Sequence, residues 1–102
     1  MKLKELGWRE LHLGGGLILT AIKGYKVDDI VGFVFRHPSA VGKAIPGGGS
    51  CEGLIPITPE YAKGEECWEV RSWNLLTIEP SFACTIHPEV HGRITGGLWV
   101  DQ

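Results

Sequence analysis

The sequence predicts a mostly β protein, built as a single small antiparallel-rich domain of about six or seven short strands over residues 1–102. Short apolar or alternating segments, rich in β-branched and aromatic residues, recur along the chain between glycines and prolines. Fifteen glycines and six prolines predict frequent turns. Helical periodicity is weak, so any helix is expected to be a minor addition to the strands.

Size and charge narrow the class of protein. The chain has 102 residues, of which 43% are hydrophobic and 22% charged, as expected for one globular domain. The net charge is −2 and the basic residues are scattered, which argues against nucleic-acid binding through a concentrated basic face. No apolar stretch approaches the roughly 20 residues of a membrane span, and no secretory signal is recognised. The three cysteines, an odd number, indicate reduced thiols in a cytosol.

The N-terminal half contains two clear strand patterns. Residues 1–12 carry only a weak helical signal, which Gly7 interrupts. Residues 17–22 form an apolar, β-branched run typical of a buried strand. Residues 30–36 place apolar side chains on both faces, which predicts a strand covered on both sides. Residues 38–53 are rich in glycine and predict a surface loop.

The C-terminal half adds shorter strands. Residues 54–59 contain two prolines, which cannot donate to a β ladder, so they predict at most an edge strand. Residues 67–73 alternate in polarity and predict a strand. Residues 75–78 predict another strand, which Pro80 is expected to end. Two short runs joined by glycines within residues 92–100 predict a C-terminal Gly-Gly hairpin, because both central residues must accept positive φ.

Three side chains that can bind a metal ion lie close together in the sequence: Cys84, His87 and His91. Their spacing would place them on one helix face, but Pro88 disfavours helical geometry at His87, so a loop that folds back is expected. Zinc prefers four ligands in a tetrahedron, and cysteine with histidine is a common combination. The sequence therefore suggests a zinc site in this region, with a fourth ligand from elsewhere in the chain.

His37 is the leading candidate for that fourth ligand, because it stands at a predicted strand end before a proline. Cys51 and Cys67 are the alternatives, and His12 follows them. The predicted metal ligands are therefore His37, Cys84, His87 and His91. A buried thiol and solvated histidines would explain the same residues without a metal ion, and the chain has no Cys-x-x-Cys motif.

The C-terminal third resembles the domain-of-unknown-function 6527 family, whose small members are frequent in bacteria and phages. The resemblance is carried by Trp73, residues 76–84, the His-Gly-x-Ile run at 91–94 and the Gly-x-Trp run at 97–99. An upstream His-Pro element of the family is matched weakly by residues 37–38. The family pattern implies a metal site, and its phage members imply a location in the virion or the host-cell cytoplasm.

The sequence departs from the family pattern at two cysteine positions. His87 stands where a second cysteine is expected, and Ser39 stands at the upstream cysteine. Histidine is a normal zinc ligand, so the first replacement retains the capacity to bind metal. The resemblance implies no particular activity.

Three functions compete. The first is a non-catalytic, zinc-stabilised module that binds a protein partner or forms a homo-oligomer, with some of its four tryptophans as interface anchors and at least Trp73 and Trp99 in the core. The second is a zinc-dependent hydrolase with Glu89 as general base. The third is a cysteine-nucleophile enzyme built on Cys84 and His91. The sequence favours the first, because it lacks a helical His-Glu-x-x-His motif.

Overall fold

The structure, a computed structural model, describes residues 1–38, 50–84 and 90–101. Within these ranges, the chain forms two antiparallel sheets of four strands each. The first sheet contains β1 (Glu10–Gly14), β2 (Leu17–Lys23), β3 (Ile30–Pro38) and β4 (Ser50–Pro56), in that order. The second contains β5 (Glu69–Ser72), β6 (Thr77–Ala83), β7 (His91–Thr95) and β8 (Leu98–Asp101). The helices are α1 (Leu3–Leu6) and α2 (Pro59–Ala62), so the mostly β prediction is confirmed.

The N-terminal region contains a strand that the sequence did not predict. Helix α1 has only four residues and ends at Gly7, whose φ of 83° is left-handed. Strand β1 begins at Glu10 and pairs antiparallel with β2. Its Leu11 and Leu13 lie two residues apart on one face, and Leu13 is buried. A five-residue edge strand with two apolar positions gives too little alternation to be recognised from the sequence.

The predicted loop at 38–53 is partly wrong, because strands β3 and β4 extend into it from both sides. Strand β3 continues to Pro38 and β4 begins at Ser50, and these two residues are register partners. The rest of that predicted loop lies outside the described residues. Strand β4 pairs with β3 and lies at an edge of the first sheet, where its terminal Pro56 removes no ladder hydrogen bond to a further strand.

The prediction that Pro80 ends a strand is wrong, since β6 runs from Thr77 through Pro80 to Ala83. The register between β6 and β7 shifts between Ile78 and Phe82. Such an irregularity accommodates a residue that has no backbone N–H to donate. As a result, β6 carries the chain up to Cys84.

The two sheets share one cluster of buried apolar residues, and β3 lies at its centre. The Phe35 ring lies 5.0 Å from the rings of both Phe82 and Trp99, which belong to the second sheet. The Phe33 ring lies 6.1 Å from that of Trp73. All four tryptophans are partly buried and pack against this cluster, so Trp73 and Trp99 border the core and do not lie fully inside it.

Strands β7 and β8 pair antiparallel, and Gly96 and Gly97, whose φ values are 60° and 78°, lie between them in the sequence. These positive values are accessible to glycine without strain. None of the helices in the described parts of the chain is long and apolar enough to cross a membrane.

Candidate metal centre

Three side chains that can bind a metal ion converge where the ends of the two sheets meet. They are His37 on β3, Cys51 on β4 and Cys84 directly after β6. One ligand atom from each, an imidazole nitrogen and two sulfurs, lies within 4.8 Å of the other two. The candidate metal centre therefore draws its ligands from strands that are far apart in the sequence.

The pairing of β3 with β4 places the first two ligands. His37 and Cys51 are register partners, so their side chains project from the same face of the first sheet. This is also the face that carries Phe35, two residues before His37, and the two rings lie 5.9 Å apart. His37 is 2% exposed and Cys51 6%, so both ligands lie in the interior.

Cys84 reaches the same point from the second sheet. Its backbone N–H donates a 3.0 Å hydrogen bond to the carbonyl oxygen of Val90. The preceding Ala83 is the register partner of His91 on β7. The side chain of Cys84 is half-buried, which makes it the most exposed of the three candidate ligands.

The two thiols interact with each other. Burial raises the pKa of the Cys51 thiol, and the neighbouring Cys84, which shares a side-chain hydrogen bond with it, raises that pKa further. Two adjacent thiolates without a cation would repel each other in this partly dry environment. Cys51 therefore carries its proton at neutral pH unless a cation replaces it.

The spacing of the three ligand atoms suits a small ion after slight contraction. Zinc lies about 2.3 Å from sulfur and about 2.0–2.1 Å from nitrogen, so tetrahedral ligand atoms are roughly 3.3–3.8 Å apart. The upper limit of 4.8 Å exceeds this by about 1 Å. Small side-chain rotations, above all at the half-buried Cys84, would close that difference.

A cavity of about 330 Å³ adjoins the three ligands. Apolar groups make up most of its surface, including the rings of Phe35, Trp68 and Phe82. Trp68 is held there by its indole N–H, which donates a 3.2 Å hydrogen bond to the carbonyl oxygen of Ser81. Cys51 and Cys84 are both among the residues that line this cavity.

The structure brings together two of the four predicted ligands, His37 and Cys84, and adds Cys51, which the sequence offered as an alternative. His91 is not in this group; its Nε2 shares a 3.1 Å hydrogen bond with the hydroxyl of Ser81. His87 lies outside the described residues. The predicted general base Glu89 also lies outside them.

The remaining candidates lie apart from this group. Cys67 is half-buried and His12 is exposed, and neither belongs to the cluster. The sequence ranks His37 ahead of Cys51 because His37 stands at a predicted strand end before a proline, whereas position 51 lies in a predicted loop. Recognising that β4 starts at Ser50 would have shown that Cys51 lies opposite His37.

These features define a mostly β protein with a candidate Cys₂His metal centre between two four-stranded antiparallel sheets. No protein-family model, curated protein or solved structure matches the chain. The resemblance to the domain-of-unknown-function 6527 family therefore stays a prediction.

Proposed function

We propose that the protein is a non-catalytic β module whose fold is stabilised by a zinc ion bound to His37, Cys51 and Cys84. The observation that carries the proposal is the convergence of these three ligand atoms within 4.8 Å from both sheets. Two of the three side chains are buried, where an ion would be held by the protein rather than by solvent. A buried cluster of this kind suits a structural ion.

The donor set supports zinc over other common ions. Sulfur and imidazole ligands favour zinc, whereas magnesium and calcium prefer oxygen. Structural zinc sites have four protein ligands, and the described residues supply three. His87, which follows Cys84 by three residues, is proposed as the fourth on sequence grounds.

The ion would contribute to stability because it joins the two sheets. His37 and Cys51 belong to the first sheet, and Cys84 follows a strand of the second. An ion that binds only the folded chain shifts the unfolding equilibrium towards the folded state by mass action. Removing it is therefore expected to destabilise the protein without altering which strands pair.

Elemental analysis of the purified protein, combined with thermal unfolding, tests this proposal. We expect one zinc ion per chain and a lower melting temperature after treatment with a strong chelator. Cys51→Ser and Cys84→Ser should each reduce the zinc content sharply. Purified protein without zinc, which also takes up none from solution, would contradict the proposal.

Two matched variants serve as controls. Cys67→Ser removes a thiol outside the cluster, and His12→Ala removes an exposed imidazole. Both should retain the zinc content of the wild type. Loss of zinc in either variant to the same extent as in Cys51→Ser would show that the ion is bound elsewhere.

A zinc-dependent hydrolase is the second candidate, and the cavity beside the cluster favours it. A catalytic zinc keeps one position open for water, next to a general base. Among the described residues that line the cavity, the only carboxylate belongs to Glu52, which forms a 3.0 Å ion pair with Arg36. Glu89 would have to serve as the base, as the sequence suggests.

His87 distinguishes the two candidates. A structural ion with His87 as its fourth ligand predicts that His87→Ala lowers both zinc affinity and melting temperature. A catalytic ion predicts that this variant keeps its zinc, whereas Glu89→Gln abolishes hydrolysis of a general ester substrate. Hydrolysis by the wild type that depends on Glu89 would replace the non-catalytic assignment.

We propose that this module binds another protein or a second copy of this chain. Exposed aliphatic side chains on edge strands support this proposal, including Leu54 on β4 and Leu98 and Val100 on β8. An edge strand offers unpaired backbone groups to a further strand. Sedimentation of the wild type and of Leu98→Lys tests self-association through β8: a dimer lost in the variant supports it, and a monomeric wild type restricts the partner to another protein.

A further inference from the structure

The two cysteines of the candidate metal centre are also placed to react with each other. We propose that Cys51 and Cys84 form a reversible disulfide when a peroxide oxidises them, and that this bond and a bound metal ion exclude each other. Formation of the disulfide requires no ion and is inferred from the positions of the two sulfur atoms. The mutual exclusion rests on the proposed zinc site.

The distance between the sulfurs permits the bond. The two Sγ atoms lie within 4.8 Å of each other, and the thiols share a hydrogen bond. A disulfide has an S–S length of about 2.05 Å, so the atoms must approach by less than about 3 Å. Rotation of the half-buried Cys84 side chain, just beyond the end of β6, can supply much of that approach.

The cavity and the different exposure of the two cysteines determine which thiol reacts first with the peroxide. Both cysteines line the cavity of about 330 Å³, which is large enough to admit hydrogen peroxide. Cys84 is half-buried, whereas Cys51 is only 6% exposed. Cys84 therefore meets the oxidant first, and the more deeply buried Cys51 acts as the resolving thiol.

The reaction balances in two steps with one molecule of hydrogen peroxide as the oxidant. The Cys84 sulfur attacks one peroxide oxygen, the O–O bond breaks, and a sulfenic acid and one water form. The Cys51 sulfur then attacks the Cys84 sulfur, the S–O bond breaks, and a second water leaves. The two thiols lose two electrons and two protons in total, and the peroxide is reduced to two waters.

The disulfide would remove both sulfur ligands from a bound ion at once. A thiolate is the form of cysteine that binds zinc, and a disulfide sulfur carries no such charge. His37 is then the only ligand left among the three. Reduction by a dithiol would restore both thiols and with them the capacity to bind the ion.

Peroxide treatment of the zinc-free and the zinc-loaded wild type, followed by thiol alkylation and peptide mapping, tests the proposal. We expect the loss of two of the three thiols, a cross-link between Cys51 and Cys84, an alkylated Cys67, and recovery of all three thiols with dithiothreitol. Cross-links that involve Cys67 to a comparable extent would overturn the proposal. Oxidation of both cysteines to sulfinic acid without a cross-link would also overturn it.

Two variants make the result specific. Cys67→Ser should form the cross-link as the wild type does, and Cys51→Ser should instead accumulate a sulfenic acid on Cys84 that dimedone traps. In the zinc-loaded wild type, one ion should be released for each disulfide formed. A cross-link in a protein that never binds zinc would overturn the proposed zinc site and the mutual exclusion of zinc and disulfide, but it would support the disulfide itself. Bound zinc in a protein that forms no cross-link would overturn the disulfide proposal and leave the zinc site supported.

Discussion

At the scale of single residues, the candidate metal centre depends on where three side chains lie in their strands. His37 and Cys51 face each other across β3 and β4, and Cys84 follows β6 from the other sheet. A shift of one residue in the β3–β4 register would move His37 and Cys51 to opposite faces. The cluster of these three side chains is therefore a product of strand pairing and not of a local motif.

His91 gives the first prediction at this scale. Because its Nε2 is hydrogen-bonded to the Ser81 hydroxyl and it is outside the ligand cluster, His91→Ala should leave the zinc content unchanged. It should lower the free energy of unfolding by about 0.5–1.5 kcal/mol, the net contribution of one hydrogen bond. Chemical denaturation and elemental analysis of the variant measure the two effects separately.

Ser81→Ala is the matched control, since it removes the same hydrogen bond from the other side. Similar losses of stability in the two variants, with full zinc content in both, would support the structural role of His91. A His91→Ala protein that loses its zinc while Ser81→Ala keeps it would instead make His91 a metal ligand, as the sequence suggested.

The second prediction concerns pH and the Cys51 thiol. Burial and the neighbouring Cys84 raise its pKa, so at neutral pH the thiol of the metal-free protein is protonated and zinc must displace that proton. Zinc affinity should therefore fall as the pH is lowered from about 8 to about 6. Chelator competition across this range measures the affinity, and an affinity independent of pH would contradict thiolate ligation.

The metal-free protein should respond to pH in the opposite sense. A thiol with a raised pKa favours the protonated form in the folded state, so its contribution to stability is fully present below the ordinary cysteine pKa of about 8.5. That contribution is lost as the pH rises through the folded-state value. Denaturation of chelator-treated protein should therefore show decreasing stability above about pH 8.5 from this group.

At the scale of elements, strands β7 and β8 show why a glycine is needed inside a sheet. Gly92 is buried, and a Cβ there would overlap the carbonyl oxygen of Val100 and lie 2.7 Å from the ring of Trp99. The backbone carbonyl cannot move aside without disturbing the ladder between the two strands. The glycine lets the Trp99 ring lie close to the backbone of β7.

Gly92→Ala is accordingly expected to destabilise the protein by about 1–3 kcal/mol through overpacking. Thr95→Ala, at an exposed position of the same strand, is the control and should change stability by less than about 1 kcal/mol. Urea denaturation of both variants measures the difference. Equal stability of Gly92→Ala and the wild type would mean that Trp99 does not pack on β7 as described.

The elements also show how far sequence reasoning could reach. Strands β2 and β3 were predicted because their apolar, β-branched runs are long and bounded by glycine or turn residues. Strand β1 was missed because it is a short edge strand. Strand β6 is longer than predicted because Pro80, which in the sequence indicates a strand end, is accommodated by a register irregularity.

Only part of the candidate metal centre could be predicted from the sequence, for a related reason. His37 and Cys84 could be proposed from ligand chemistry and from their places in the predicted elements. Cys51 could not be ranked first, because its position opposite His37 follows from a β3–β4 register that no local pattern specifies. The position of Cys51 in the site depends on long-range strand pairing.

At the scale of the whole molecule, aromatic contacts among the described residues connect the two sheets, and the proposed ion would connect them at another point. In the aromatic core, Phe35 of β3 contacts Phe82 and Trp99 of the second sheet. The proposed ion would lie at the adjoining edge. Phe35 and His37 lie two residues apart on the same face, so the core and the metal centre are continuous.

The effects of chelation and of losing a ligand on the melting temperature should therefore not be additive. If the ion is what joins Cys51 to Cys84, treatment with a chelator should lower the melting temperature of the wild type but leave that of Cys84→Ser unchanged. Differential scanning calorimetry of both proteins, with and without chelator, measures the four values. Equal decreases in the two proteins would show that the chelator acts through a different ion.

X-ray absorption at the zinc edge of the purified protein is the most direct test of zinc binding by His37, Cys51 and Cys84, because it reports the atoms bound to the ion. We expect a four-coordinate zinc with two sulfur neighbours at about 2.3 Å and nitrogen neighbours at about 2.0–2.1 Å. Replacement of Cys51 by serine should remove one sulfur from that shell or abolish binding. A shell made only of oxygen and nitrogen, or one that is unchanged in the Cys51→Ser protein, would contradict it.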